Sequence, residues 1–206
     1  MNTHPSSRVS ASACRGKRPA FTLVELLVVV MVIAIVAAVV LPASSGSQAT
    51  ALQAAGRSVA SDIDYARHLA VTMNTKIRLT FDVSGNRYLI EPVDASIQLP
   101  ASPFASPEDT AGRQVIRLDD FPGLGMPVRL AGVSEGSGPP ATSYTLEFDT
   151  LGDSGNTEPV YVWLACGSGQ ATRYIATAVM PVTGETLLGD VTAAAPGSAV
   201  AAASLP

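Results

Sequence analysis

Residues 21–41 read FTLVELLVVVMVIAIVAAVVL, a run of 21 positions in which Glu25 is the single charged side chain. About 20 apolar residues in a helix are enough to cross the hydrocarbon core of a bilayer. The sequence contains no second apolar run of this length. The pattern therefore predicts one transmembrane helix over residues 21–42.

The charges on the two sides of this run differ. A basic segment before an apolar helix stays on the cytoplasmic side, so the C-terminal part is predicted to lie across the membrane. The chain has 13 basic and 17 acidic residues, which leaves nine basic residues against 17 acidic ones after residue 20, a net charge near −8. This balance argues against binding along a phosphate backbone. Residues 1–20 contain no acid and four basic side chains, Arg8, Arg15, Lys17 and Arg18.

Glu25 needs a partner, because an acid inside a bilayer-length helix costs about 2.5–3.5 kcal/mol near the centre and less near an end. If the chain is cut before Phe21, a new α-amine appears four residues ahead of Glu25. In a bundle of staggered helices, the amine of one subunit can meet the carboxylate of another. Such a pair would offset the burial of both charges and fix the axial register of the helices.

The string Lys17-Arg18-Pro19-Ala20 followed by Phe21-Thr22-Leu23-Val24-Glu25 resembles the prepilin N-terminus of type IV pilins and type II secretion pseudopilins. The resemblance implies that a prepilin peptidase removes residues 1–20 by cutting between Ala20 and Phe21, and that the same enzyme N-methylates Phe21. It also implies that Glu25 sets the assembly register. Ala20 stands where the family usually has Gly, the mildest change at a small-residue position, so we expect cleavage to be slowed at most.

Two other interpretations explain part of this pattern. A plain signal anchor accounts for the basic flank and the apolar run, but it does not explain the acid at Glu25. A cleaved secretory signal would need a shorter apolar core followed soon by a small-residue site, for which residues 43–49 offer a candidate. Cleavage after Gly16 would put Lys17 first and Phe21 where the acid belongs.

The rest of the chain predicts an α+β fold of pilin-like type, in which a long N-terminal transmembrane and stem helix packs on an antiparallel β-sheet domain. Pro42 is expected to break the helix after the apolar run. Apolar residues every three or four positions predict an amphipathic stem helix over 43–75. Alternating segments predict a periplasmic β domain over 76–189, with a hairpin turn at 82–86. The tail over 190–206 is Ala, Ser, Gly and Pro and is predicted to be disordered.

Several segments of this part resemble the GspH/FimT-type minor pseudopilins and minor pilins. The resemblance implies a structural subunit near the tip of a periplasmic pseudopilus, in a bacterial inner-membrane type II secretion system that exports proteins. It implies contacts with other pseudopilins and with the inner-membrane assembly platform. The alternative is a FimT/FimU-like minor pilin in pilus assembly, adhesion or DNA uptake. The carrying segments are Tyr65-Ala66-Arg67, Thr80-Phe81-Asp82, Gly85-Asn86-Arg87-Tyr88, Leu146-Glu147-Phe148-Asp149 and Ala165-Cys166-Gly167.

Residues for catalysis or cofactor binding are sparse in the sequence. Loss of residues 1–20 removes one of the two histidines and one of the two cysteines, leaving His68 and Cys166. One histidine and one cysteine are too few ligands for a common zinc site. His68 is predicted to be a surface or half-buried residue rather than a base, and Cys166 a buried thiol, with an intermolecular or reactive thiol as the alternative. No enzyme is therefore expected. The loop over 149–156 offers two carboxylates and is predicted to be a solvated turn rather than a calcium site. DNA binding is disfavoured because no Lys or Arg follows Arg173.

Overall fold

The computed structural model describes residues 22–40, 43–102, 106–121 and 124–197, in two compact units that meet in sequence between Pro42 and Ala43. The predicted cleavage junction at Ala20 and Phe21 and the predicted helix break at Pro42 lie outside the described residues. The first unit contains α1 (Leu23–Val40). The second contains α2 (Ala43–Thr72), β1 (Ile77–Asp82), β2 (Arg87–Pro92), β3 (Gln114–Arg117), β4 (Val128–Glu135), β5 (Ser143–Phe148), β6 (Val160–Cys166), β7 (Arg173–Val179) and β8 (Thr186–Leu188).

Helix α1 begins where Thr22 can act as its N-cap. The Glu25 amide donates a hydrogen bond to Thr22 Oγ1 at 3.2 Å, which satisfies one of the free amides of the first turn. The side chains from Thr22 to Ile35 are exposed within this unit. Among the described residues, no helix is both long and apolar enough to span a membrane.

Helix α2 buries one face and ends in a Schellman motif. Asn74 adopts φ +49° and donates its amide to Val71 O at 3.3 Å, while the Thr75 amide donates to Ala70 O at 3.1 Å. Asn is one of the few residues besides Gly that enters the left-handed region at low cost. The buried face follows the predicted helical spacing and consists of Ala51, Leu52, Ala55, Val59, Ile63, Ala66, Leu69 and Ala70.

The strands form two antiparallel sheets of four strands each, which confirms the predicted α+β class. The first sheet has the order β3-β2-β1-β5 and the second the order β4-β6-β7-β8. The predicted hairpin joins β1 to β2, with Asp82 opposite Arg87. In its turn, Asp82 Oδ1 accepts the Gly85 amide at 3.0 Å and Asn86 has φ +48°.

One hydrophobic core lies between α2 and the inner faces of both sheets. Alternation along β1 and β2 directs every second residue inward, including Phe81 and Tyr88, whose ring centroids are 5.7 Å apart. The second sheet contributes nearly continuous buried runs in β6 and β7. Strands covered on both faces have this character, because neither face is left to solvent.

Part of the C-terminal segment is better ordered than its composition predicts. Thr192 exchanges two backbone hydrogen bonds of 2.8 Å with Tyr174 of β7, although residues 190–206 are predicted to be disordered. Ala194 packs against the outer face of the second sheet beside Trp163, which is 3% exposed. Tyr174 lies beyond the part of β7 that pairs with β8. This end of β7 and the Trp163 indole supply the partners that the tail's own sequence lacks. Residues 198–206 lie outside the described residues.

Candidate assembly site

Glu25 occupies the N3 position of α1, three residues after the N-cap Thr22. The Thr-x-x-Glu spacing is that of a capping box, in which an acid in the first turn also favours the positive end of the helix dipole. The Glu25 side chain is exposed, and among the described residues no basic group forms an ion pair with it. The carboxylate is therefore available for the intermolecular pairing that the sequence predicts.

The side chain of His68 lies on the exposed face of α2, as predicted. Its Nδ1 is 2.7 Å from the Asp64 carbonyl oxygen, one helical turn earlier, so Nδ1–H donates to that carbonyl. The imidazole is thus hydrogen-bonded to the backbone of its own helix. His68 thus contributes to the surface of α2.

Cys166 ends β6 with its thiol in the core, also as predicted. Burial raises the pKa of the thiol, which keeps it protonated and weakly nucleophilic at neutral pH. Gly167 follows with φ +92°, and a Cβ there would lie 3.0 Å from the Ala171 carbonyl oxygen. The chain can therefore turn sharply after Cys166 only because residue 167 lacks a side chain.

The acidic loop between β5 and β6 uses its carboxylates to close a turn. Asp149 Oδ1 accepts the amides of Leu151 at 2.9 Å and Asp153 at 3.0 Å. Asp153 Oδ1 accepts the Gly155 amide at 2.8 Å. Within the described part of the chain, no group of three or more His, Cys, Asp or Glu side chains is arranged to hold a metal ion. Backbone amides are thus the partners that this loop gives its carboxylates.

Sequence reasoning missed a partly buried carboxyl between α2 and the first sheet. The Tyr88 hydroxyl, from a fully buried side chain on β2, donates a hydrogen bond to Asp62 Oδ2 on α2. Burial raises the pKa of Asp62, although the Tyr88 hydrogen bond opposes the shift. Burial, together with the negative charge of Asp62, holds the pKa of Tyr88 well above its usual value. Its position on the helix could have indicated this burial, because residue 62 directly adjoins the buried face of α2 at Val59 and Ile63.

A second missed feature joins three segments where α2 ends. Arg67 Nε donates to Gly152 O at 3.2 Å, tying α2 to the loop between β5 and β6. The turn between β7 and β8 also touches this loop, because a Cβ on Gly184 would lie 2.7 Å from the same oxygen. These segments, which are the last turns of α2, the loop between β5 and β6 and the turn between β7 and β8, lie at one end of the globular unit. We call this end of the unit, including its loops, the C-terminal end of α2. The contact depends on chain segments 85 residues apart and therefore leaves no local pattern.

Basic side chains on the outer face of the first sheet are paired with acids. Arg78 Nε lies 2.8 Å from Glu147 Oε1 across β1 and β5. Arg87 Nε lies 3.2 Å from Asp82 Oδ2. These pairs neutralise positive charge on the sheet, so this face offers little attraction for a polyanion.

Comparison with known proteins identifies the class of the N-terminal segment. Residues 15–41 match the family model described as the prokaryotic N-terminal methylation motif. The chain thus has the N-terminus of prepilin-like proteins, as the sequence predicts. No curated protein matches the chain. Among solved structures, the chain matches the minor pseudopilin EpsH of the Vibrio cholerae Type 2 Secretion System, with 11% sequence identity, a TM-score of 0.42, and coverage of 71% of this chain and 98% of that chain.

Proposed function

We propose that this protein is a minor pseudopilin of a type II secretion system, a structural subunit near the tip of a periplasmic pseudopilus that aids protein export. The observation that carries the proposal is the methylation motif over residues 15–41 together with the exposed carboxylate of Glu25 in the first turn of α1. A filament-forming segment needs an acid at the helix start if register is set by pairing with a neighbouring amine.

In this proposal the chain is inserted in the bacterial inner membrane by one helix, with its N-terminus cytoplasmic and its globular unit periplasmic. A prepilin peptidase cuts between Ala20 and Phe21 and methylates Phe21. The mature subunit then passes through the inner-membrane assembly platform into a filament of pseudopilins. Its role is structural, and neither catalysis nor a cofactor takes part.

Mass spectrometry of the mature N-terminus tests the processing step. The full-length chain is co-expressed with a prepilin peptidase, and N-methylated Phe21 is the expected first residue. A peptidase with an inactivated active site is the matched control and should leave the leader attached. An intact leader in the presence of active peptidase, or a start near Ala49, contradicts the proposal.

A deletion strain distinguishes the two systems that use this N-terminus. Loss of the gene should abolish export of the substrates of the secretion system, and the full-length gene should restore it. Loss of twitching or DNA uptake with normal export would instead assign the chain to the FimT/FimU-like minor pilins. The acidic charge balance after residue 20 and the paired arginines of the first sheet favour export over DNA uptake.

A further inference from the structure

Among the residues described from Gln48 onward, the exposed large aliphatic side chains all lie at one end of the globular unit. The four that are more than a third exposed are Leu151 at 84%, Val182 at 67%, Val71 at 50% and Val93 at 40%. Isolated apolar residues on a surface are ordinary, but their concentration at one end is characteristic of an interaction site.

All four belong to the C-terminal end of α2. Val71 is in the last turn of α2, and its Cγ2 would be 3.2 Å from a Cβ placed on Gly152. Gly152 directly follows Leu151 and touches Gly184, in the turn that contains Val182. Val93 donates its amide to Lys76 O at 2.9 Å, just beyond the end of α2.

Val182 is the most informative of these residues because its backbone is strained. It has φ +65°, a left-handed conformation that a β-branched residue rarely adopts. A glycine would suit the position, and the exposed valine side chain gains almost no burial in the isolated subunit. Residues held in such sparsely populated conformations cluster at functional sites and ligand clamps.

The charges at this end define the partner. Asp149, Asp153 and Glu185 lie in the same two turns as Leu151 and Val182, and within the described residues no basic side chain forms an ion pair with them. Lys76 and Arg67 are also at this end, so the acids are in excess. A surface with an apolar centre and an acidic rim is complementary to one with an apolar centre and a basic rim.

We propose that the C-terminal end of α2, with Leu151 and Val182 at its centre, is the docking surface for a different prepilin-type subunit that has a basic rim around an apolar patch. This inference rests on the proposed function, which supplies a filament of related subunits. A second copy of this chain is disfavoured, because two acidic rims would face each other at the same surface.

Site-specific photo-crosslinking in intact cells tests the surface in the full-length chain. A photo-reactive phenylalanine is placed at position 151 or 182, and the covalent adduct is identified by mass spectrometry. The matched control is position 170, an exposed glutamine in the turn between β6 and β7, at the opposite end of the unit. The expected adduct is with another prepilin-type chain, and its yield at 151 and 182 is about tenfold above that at 170.

Three results would overturn the inference: no adduct at 151 and 182, equal yields at all three positions, or an adduct with a second copy of this chain. If any of these occurs while Phe21 is still methylated and export is normal, the docking surface is wrong and the proposed function stands. If the chain is never cleaved and methylated at Phe21, the proposed function and the docking surface are both contradicted.

Val182→Gly separates docking from folding. The variant should have an unchanged or higher Tm, because glycine relieves the left-handed strain, yet it should lower the adduct yield at position 151 by about tenfold. Asn74→Gly is the matched control, since it changes another left-handed residue without removing an apolar side chain, and its yield should equal that of the wild type. An undiminished yield in Val182→Gly contradicts the proposal.

Glu185→Lys tests the acidic rim, because the Glu185 side chain is exposed and makes no ion pair with the described residues. Reversing its charge should lower the adduct yield at positions 151 and 182 several-fold without changing Tm. Asp190→Lys is the control, at an exposed acid after β8 and outside the turns that contain Leu151 and Val182. A yield that rises in Glu185→Lys would contradict a basic partner.

Discussion

At the residue scale, Asp62 shows how the fold can accept an unfavourable group. A buried carboxylate loses its hydration, and the single hydrogen bond from Tyr88 recovers only part of that loss. Because folding raises the pKa of Asp62, the folded state favours the protonated acid. Its ionisation therefore lowers the free energy of unfolding as pH rises above the unfolded pKa near 3.8.

Asp62→Asn is predicted to stabilise the protein at pH 7. The amide oxygen still accepts the Tyr88 hydrogen bond, and no charge has to be buried, so we expect a gain of about 1 kcal/mol or roughly 2–4 °C in Tm. Thermal denaturation at pH 7 and pH 3 measures the difference, which should shrink at pH 3, where the wild-type acid is protonated in both states.

Tyr88→Phe is the control for this pair and should have the opposite sign. It leaves Asp62 buried without its donor and is expected to cost about 1–3 kcal/mol at pH 7. An Asp62→Asn variant less stable than the wild type at pH 7, or a gain of the same size at pH 3, would contradict the assignment of the raised pKa to burial.

Glu25→Ala is predicted to separate processing from assembly. The change leaves the cleavage junction intact but removes the carboxylate that would pair with a neighbouring amine, so methylated Phe21 should form while incorporation into filaments falls about tenfold or more. Quantitative mass spectrometry and isolation of sheared filaments measure the two steps. Val24→Ala, in the same turn without a charge change, should assemble normally. Normal assembly of Glu25→Ala would count against the pairing.

At the element scale, Gly56 sets the distance between α2 and the second sheet. A Cβ at this position would lie 2.7 Å from Leu188 Cδ1 and 3.5 Å from Ile175 Cδ1. The Thr177 hydroxyl on β7 also lies 3.4 Å from the Gly56 carbonyl oxygen, to which it donates. Glycine lowers the stability of a helix, but here the absence of a side chain permits a close approach of helix and sheet.

Gly56→Val is predicted to destabilise the globular unit by about 1–3 kcal/mol, because its side chain forces α2 away from β7 and β8. Urea denaturation measures the loss. Ala54→Val changes an exposed position in the same turn of α2 and should cost only the difference in helix propensity, about 0.5 kcal/mol. Equal losses in the two variants would show that helix propensity, rather than the close contact, explains the effect.

At the scale of the globular unit, the C-terminal segment completes the second sheet. Trp163 donates its indole N–H to Ser134 Oγ at 3.2 Å, and its ring packs with Ala176 and Ala194. The segment around Thr192 thus covers a large aromatic side chain on the sheet's outer face. A short apolar tail can be ordered in this way because the sheet supplies both hydrogen bonds and a surface to bury against.

A chain that ends at Gly189 is predicted to expose Trp163, the single tryptophan of the protein. Its fluorescence emission should shift to longer wavelength, and stability should fall by about 1–2 kcal/mol as apolar contacts are lost. A chain that ends at Gly197 keeps the described contacts and should match the wild type in both measurements. Unchanged emission in the shorter chain would contradict the covering role of the tail.

The features that depend on short-range pattern follow from the sequence alone. The methylation motif, the exposed acid four residues after Phe21, the amphipathic α2 and the hairpin at residues 82–87 all follow from spacing and residue type. Alternation also predicted the antiparallel β domain. Each of these signals lies within about twenty residues, where helix and strand periodicity is visible directly.

The features that depend on contacts between distant segments are visible only in the folded structure. The Asp62–Tyr88 pair, the junction of Arg67 with Gly152 and the ordered Thr192 each join elements from different parts of the chain. The gathering of Leu151 and Val182 at one end has the same origin. Such contacts depend on how the helix and the sheets pack. They produce no periodic pattern in the local sequence, because each partner alone resembles an ordinary surface or loop residue.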